Sequence, residues 1–211
     1  MTYLVLIADI VDSRRLANRG QVQNRLMDAL DRINRRGSPI ESPYTVTLGD
    51  EFQAVFSGAA GMVEDLASIQ HALHPARVRF SYGVGDITTA INPRQALQMD
   101  GPAFYGARDG LDRLKDSGDL AAITGVAGPV GELLDASLRA MANGMTRWRA
   151  NRFAILRDLM RGDDVKSIAA RLDISEVAVY KNIDAGDLRT LMHLARSIEA
   201  CLDQKLTPER P

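Results

Sequence analysis

Residues 2–10, TYLVLIADI, form an unbroken apolar run closed by a carboxylate, the pattern of a central strand buried on both faces. From Gly20 to Asn34, the residues Val22, Leu26, Ala29, Leu30 and Ile33 recur at helical spacing and predict an amphipathic helix. YTVTL and FQAVF then flank Gly49-Asp50-Glu51, which predicts a hairpin with those three residues at its tip. A second helix is predicted from the stripe Met62, Leu66, Ile69 and Leu73. VRFSYGVG, residues 78–85, alternates as a strand does.

The succession β-α-β-β-α-β is that of the ferredoxin-like split βαβ sheet, so the predicted fold class is α+β. After the Gly/Pro-containing break TGVAGPVG the texture changes to helix. A long helical stretch is predicted from Pro129 to Met160, with an interruption at Asn143-Gly144 and an apolar face of Leu133, Leu134, Leu138, Met141, Met145 and Trp148. Beyond Gly162, Ile168, Ala169, Leu172, Ile174, Val179 and Ile183 are spaced as the interior of two short crossing helices, with Ser175 as N-cap of the second. That segment resembles a helix-turn-helix with residues 175–184 as recognition helix, exposing Ser175, Glu176, Val177, Ala178, Tyr180, Lys181 and Asp184. The expected units are therefore 1–128, a connecting 129–161, and an all-α helix-turn-helix domain at 162–211. Phosphate contacts to DNA would come from Lys166, Arg171, Arg189 or the Arg147-Arg149-Arg152 group.

Composition changes this picture little. In 211 residues, 45% hydrophobic content and a formal net charge of -1 describe a globular chain without an overall basic coat for nucleic acid. One cysteine, Cys201, excludes an internal disulfide framework, and no apolar stretch reaches the ~20 residues of a membrane span. A cytoplasmic location without membrane contact is the expectation. His71 and His74, near a helix end, are expected to face solvent, and Cys201 to serve packing.

The candidate chemistry lies in carboxylates. In the predicted sheet the first strand neighbours the hairpin, so Asp9 comes beside Asp50, with Asp12 and Glu51 close by. Two carboxylates ~4 Å apart repel by about 4 kcal/mol at an effective dielectric near 20, which calls for a proton or a cation between them. Oxygen ligands without His or Cys suit Mg²⁺ or Mn²⁺.

LIADIVDSRRL, TLGDEFQAVF, VRFSYGVGDITTAI and DGPAFYGARDGLDRL together resemble the palm domain of class III nucleotide cyclases over roughly residues 1–125, with GDEF similar to the diguanylate cyclases. With the helical tail included, essentially the full chain is similar to the SatD family. The cyclase resemblance implies that Asp9 and Asp50 bind metal, with the backbone carbonyl of Ile10 as a further ligand. It also implies that Val11, Asp12, Ser13 and Arg14 line a phosphate-cradling loop, with Glu51 beside it. The catalytic half of that pattern departs. Val46 stands at the base-selecting position, and Tyr105 and Asp109 fall where a transition-state Asn and Arg are usual, leaving Arg108 or Arg113 as replacement cations. DGPAF is open to a structural reading as a helix start with Asp100 as cap and Pro102 in the first turn.

These readings combine as a sensor joined to a reader. The degenerate palm would bind a metal-nucleotide, a cyclic nucleotide or a related phosphate ligand, and the tail would engage DNA as a homodimer. Two alternatives stand beside it: residual nucleotidyl chemistry through Arg108 or Arg113, and a scaffold whose helical tail docks a partner.

Overall fold

The computed structural model describes residues 1–35 and 39–206, without the side chain of Leu48. Residues 207–211 of the expected C-terminal unit, and the side chain of Leu48 in the hairpin, lie outside the described residues. The first half runs β1 (Thr2–Ile10), α1 (Arg19–Asn34), β2 (Ile40–Leu48), β3 (Glu51–Phe56), α2 (Met62–Leu73), β4 (Val78–Asp86), α3 (Pro102–Ser117) and β5 (Ala121–Thr124). The strands make one mixed sheet in the order β2-β3-β1-β4-β5. β1 is antiparallel to β3 and β4, and β5, reached by the crossover helix α3, joins β4 in parallel.

β1 is apolar throughout because both of its faces are covered. Leu4, Leu6, Ala8 and Ile10 enter the main core with α1 and α2, whereas Val5 and Ile7 join a smaller core with Val55 and with Ala103, Phe104, Ala107 and Leu111 of α3. The edge strand β2 carries Pro43 and several register shifts, as an edge permits. α3 lies unusually near β4 because the strand offers glycines. A Cβ on Gly83 would collide with the carbonyl of Ala103 and sit 2.6 Å from the amide of Ala107. On the helix side, a Cβ on Gly110 would collide with the hydroxyl of Ser81.

The second half is helical: α4 (Gly128–Gly144), a short 3-10 turn, α5 (Ala150–Met160), α6 (Val165–Leu172), α7 (Glu176–Gly186) and α8 (Leu188–Leu206). The interruption falls at Gly144, as expected. Asn143 there is bound to the sheet unit, its Oδ1 accepting from the Leu120 amide at 3.1 Å and its Nδ2 donating to Asp119 at 2.7 Å. Leu134, Leu138 and Met141 are buried, but Leu133 is 67% exposed and drops out of the predicted apolar face. Ser175 caps α7 as predicted, accepting from the Ala178 amide at 3.1 Å. Cys201 packs, half-buried, against the main core.

α8 returns to the start of α2. Its Glu199 accepts from the Val63 amide at 3.1 Å, supplying an acceptor that the N-cap residue Gly61 cannot, and its Asp203 accepts from the Ala59 amide at 2.6 Å in the turn before the helix. Burial pushes the Glu199 carboxyl up, against the pull of these amides. The two histidines correct the expectation of solvent exposure. His71 Nδ1 lies 3.0 Å from the Ala150 carbonyl and His74 Nε2 lies 3.1 Å from that of Trp148, so both half-buried rings tie the end of α2 to the start of α5 and the turn before it. No described helix is long and apolar enough to cross a membrane.

Candidate functional site

Register explains the site. Within β1, Asp9 follows Val5 and Ile7 on the face toward α3, and the ladders place Glu51 of β3 and Arg79 of β4 directly opposite it. Three charged residues thus form one row across three strands, just past the small core. Arg79 Nη1 donates to Asp9 at 3.1 Å, with both side chains largely buried. α3 adds two cations. Arg108 grips Glu51 through both terminal nitrogens at 2.6 and 2.8 Å, a fork-to-fork pair, and Lys115 stands 4.0 Å from Asp9.

The electrostatics follow from burial. Loss of water pushes the Asp9 carboxyl above its ordinary range, outweighing Arg79 and Lys115, and the charge of Asp50 pushes the same way. Hydrogen bonding from Arg108 holds Glu51 below its ordinary range. Arg79 Nε is buried without a hydrogen-bond acceptor among the described residues.

Asp50 occupies the tip of the hairpin after Gly49, whose φ of 62° favours glycine. Its carboxylate accepts a hydrogen bond from the Ser13 hydroxyl, and its backbone carbonyl accepts from the Ile10 amide at 3.2 Å. The loop expected to cradle phosphates is partly committed to the fold. The Val11 amide donates to the Arg77 carbonyl at 2.9 Å, and Asp12 is left-handed with φ 52° and exposed. Arg14 is exposed and Ser13 is buried against Asp50.

A divalent cation would take Asp9, Asp50 and the Ile10 carbonyl. The donors fit in kind, being hard oxygens. Asp9 and Asp50 nonetheless face different partners, Arg79 and Ser13, so an ion bridging them would require Arg79 to release Asp9. Among the described residues no group of three or more acidic, histidine or cysteine side chains is arranged to hold a metal.

Of the replacement cations, Arg108 reaches the row while Arg113 lies exposed on α3 near Asp116 and Asp119. Asp109 is exposed, Tyr105 is turned outward to donate to Asp100 at 2.8 Å, and Val46 is a half-buried packing residue. Asp100 is not the cap of α3; Gly101 holds that position, and Pro102 starts the helix. Sequence reasoning missed Arg79 and Lys115. A lone arginine in the otherwise apolar and small-residue alternation of VRFSYGVG was the available signal for the first.

On α7, Glu176, Val177, Tyr180 and Lys181 are exposed, Ala178 is half-buried, and Val179 and Ile183 face the interior. The Ser175 hydroxyl is engaged as cap. Arg171 is exposed but already paired, lying 2.7 Å from the fully buried Asp158 and 2.6 Å from Asp163. Lys166, Arg189, Arg147 and Arg149 remain exposed.

Comparison with known proteins returned no match among curated sequences. Two structures of a bacterial light-regulated adenylyl cyclase are similar at 17% identity with TM-scores of 0.43 and 0.44, covering 59% of this chain and 43% of theirs. The chain thus spans less than half the length of those structures. The catalytic core of a rhodopsin-guanylyl cyclase, solved with ATPαS, is similar at 17% identity and TM-score 0.38, covering 52% of this chain and 70% of that one. The profile of the SatD family matches residues 3–200, and the chain belongs to that family.

Proposed function

We propose that this chain is a ligand-responsive regulator, in which residues 1–128 form a cyclase-like, ferredoxin-like palm that binds a metal-nucleotide or related phosphate ligand. The observation that carries the reading is the charged row itself. Asp9, Glu51 and Arg79 meet Arg108 and Lys115 at one end of the sheet, and a buried Arg79 nitrogen lacks an acceptor among the described residues. Phosphate oxygens are the acceptors that such guanidinium and ammonium groups take most readily. A Mg²⁺ or Mn²⁺ ion, held by Asp9, Asp50 and the Ile10 carbonyl, would neutralise the ligand's phosphate charge.

In this reading residues 129–161 connect and 162–211 engage DNA as a homodimer, α6 and α7 forming a helix-turn-helix with Glu176, Ala178, Tyr180 and Lys181 toward the groove. The left-handed Asp173 between the two helices and the Ser175 cap support that geometry. Exposed Lys166, Arg189, Arg147 and Arg149 supply the phosphate contacts.

The test is thermal unfolding with ATP, GTP and cyclic nucleotides, each with and without Mn²⁺. A ligand at 100 times its Kd adds about 2.7 kcal/mol, roughly 5–11 °C for a chain of this size. The reading predicts such a shift for at least one ligand and its loss in Asp50→Asn and Arg108→Ala; no shift with any of them overturns it. For the tail, a gel shift against the upstream DNA of its own gene should weaken steeply with salt and in Lys181→Ala. A second reading, nucleotidyl chemistry, is favoured by Arg108 reaching the row. Product formed from ATP or GTP with Mn²⁺ would establish it.

A further inference from the structure

A cleft of about 460 Å³ lies away from the charged row, where α1, α2 and α5 meet. Arg32 comes from α1, Ser68, His71 and Ala72 from α2, and Arg157 and Arg161 from α5. We infer that this cleft binds the phosphate group of a small phosphorylated molecule, at a site separate from the one at the end of the sheet.

Two of the arginines are held in place by carboxylates without being used up. Arg157 bonds Asp158 through Nε at 2.6 Å and Arg161 bonds Glu64 through Nε at 2.7 Å. The terminal nitrogens of both carry no hydrogen bond among the described residues. The carboxylate of Asp158 is shared with Arg171, which lies 2.7 Å from its other oxygen. Arg32 has no ion pair among the described residues. Among the described residues, the lining of the cleft therefore brings three guanidinium groups together and no carboxylate.

Neutral groups match the same ligand. The Ser68 hydroxyl is buried without a partner among the described residues, leaving a donor and two lone pairs unsatisfied. His71 faces the Ala150 carbonyl with Nδ1, which fixes the proton there and leaves Nε2 as an acceptor for a phosphate hydroxyl. Burial holds this imidazole below its ordinary range, so the positive charge of the cleft comes from arginine at neutral pH. The facing carboxylates, Glu64 and Asp158, are already engaged.

Calorimetric titration with inorganic phosphate and with glycerol 3-phosphate, in metal-free buffer, tests the inference. The expected result is saturable one-to-one binding that weakens at least tenfold in Arg32→Glu, an exposed position whose replacement leaves the core intact. Ala72→Glu, which places a carboxylate in the cleft, should do the same, while Arg108→Ala changes the affinity less than twofold. Tighter binding of glycerol 3-phosphate assigns the cleft to an organic phosphate, and equal binding assigns it to the free anion. Absence of saturable binding, or binding lost in Arg108→Ala and kept in Arg32→Glu, overturns the inference. Neither result decides whether the charged row binds a nucleotide.

Discussion

Arg79 stands directly across the β1–β4 ladder from Asp9 and holds its carboxylate at 3.1 Å, where both side chains are shielded from water. Removing one member of a largely buried pair strands the other. Arg79→Met should therefore cost about 3 kcal/mol in urea unfolding. Asp9→Asn should cost less, because burial already disfavours the charged carboxyl. Losses near zero in both variants would mean that the pair does not anchor the row.

Glu51 gives a pH signature. Its folded value lies below the ordinary 4.5, so the stability it contributes is present above that pH and is lost as pH falls through the lower folded value. Arg108 is partly exposed and solvent screens the pair, so Glu51→Gln should lose only about 1 kcal/mol at pH 7. Stability curves of wild type and variant should converge in acid. Curves that stay parallel from pH 7 to pH 3 would exclude the assignment.

Glu199 behaves oppositely. Its folded value lies above the ordinary 4.5, so its contribution is fully present below 4.5 and is lost as pH rises through the folded value. Glu199→Gln keeps an acceptor for the Val63 amide and removes the buried charge. The variant should be more stable than wild type at pH 7, by up to about 1 kcal/mol, with the advantage vanishing below about pH 4.5. Chemical denaturation at both pH values would show it, and a variant less stable at neutral pH would count against the buried-charge account.

Gly83→Ala should be among the most damaging single-methyl changes in this chain. The added carbon meets backbone atoms of α3, which cannot rotate away, so a loss of about 3 kcal/mol is expected with α3 displaced from β4. The loss should be read as a fall in melting temperature. A variant as stable as wild type would show that helix and strand can separate without penalty.

Periodicity revealed the apolar elements because those residues face a core: α2 runs Met62–Leu73 on the stripe Met62, Leu66, Ile69 and Leu73, and β1 spans the predicted run. β5 escaped notice since AAIT is too short to show a period, and is recognisable only through its pairing with Phe80 to Gly83. Asp9 could be marked as a site residue because a carboxylate closing so apolar a strand needs a partner. The identity of that partner could not, since Arg79 is 70 positions away and meets Asp9 through ladder register. Lys115 depends on how closely a helix approaches a sheet, which glycines decide and hydrophobic patterns do not record. The histidines were misjudged because nothing local tells His71 that Ala150 will lie beside it.

Where backbone touches backbone there is no layer of side chains to deform. At Gly83 α3 cannot settle lower on β4, and the helix that carries Arg108 and Lys115 is held at that height. Through the Gly118 turn the same helix leads into β5 and on to α4, so the depth set by one missing methyl group also fixes where the last strand and the helical half begin.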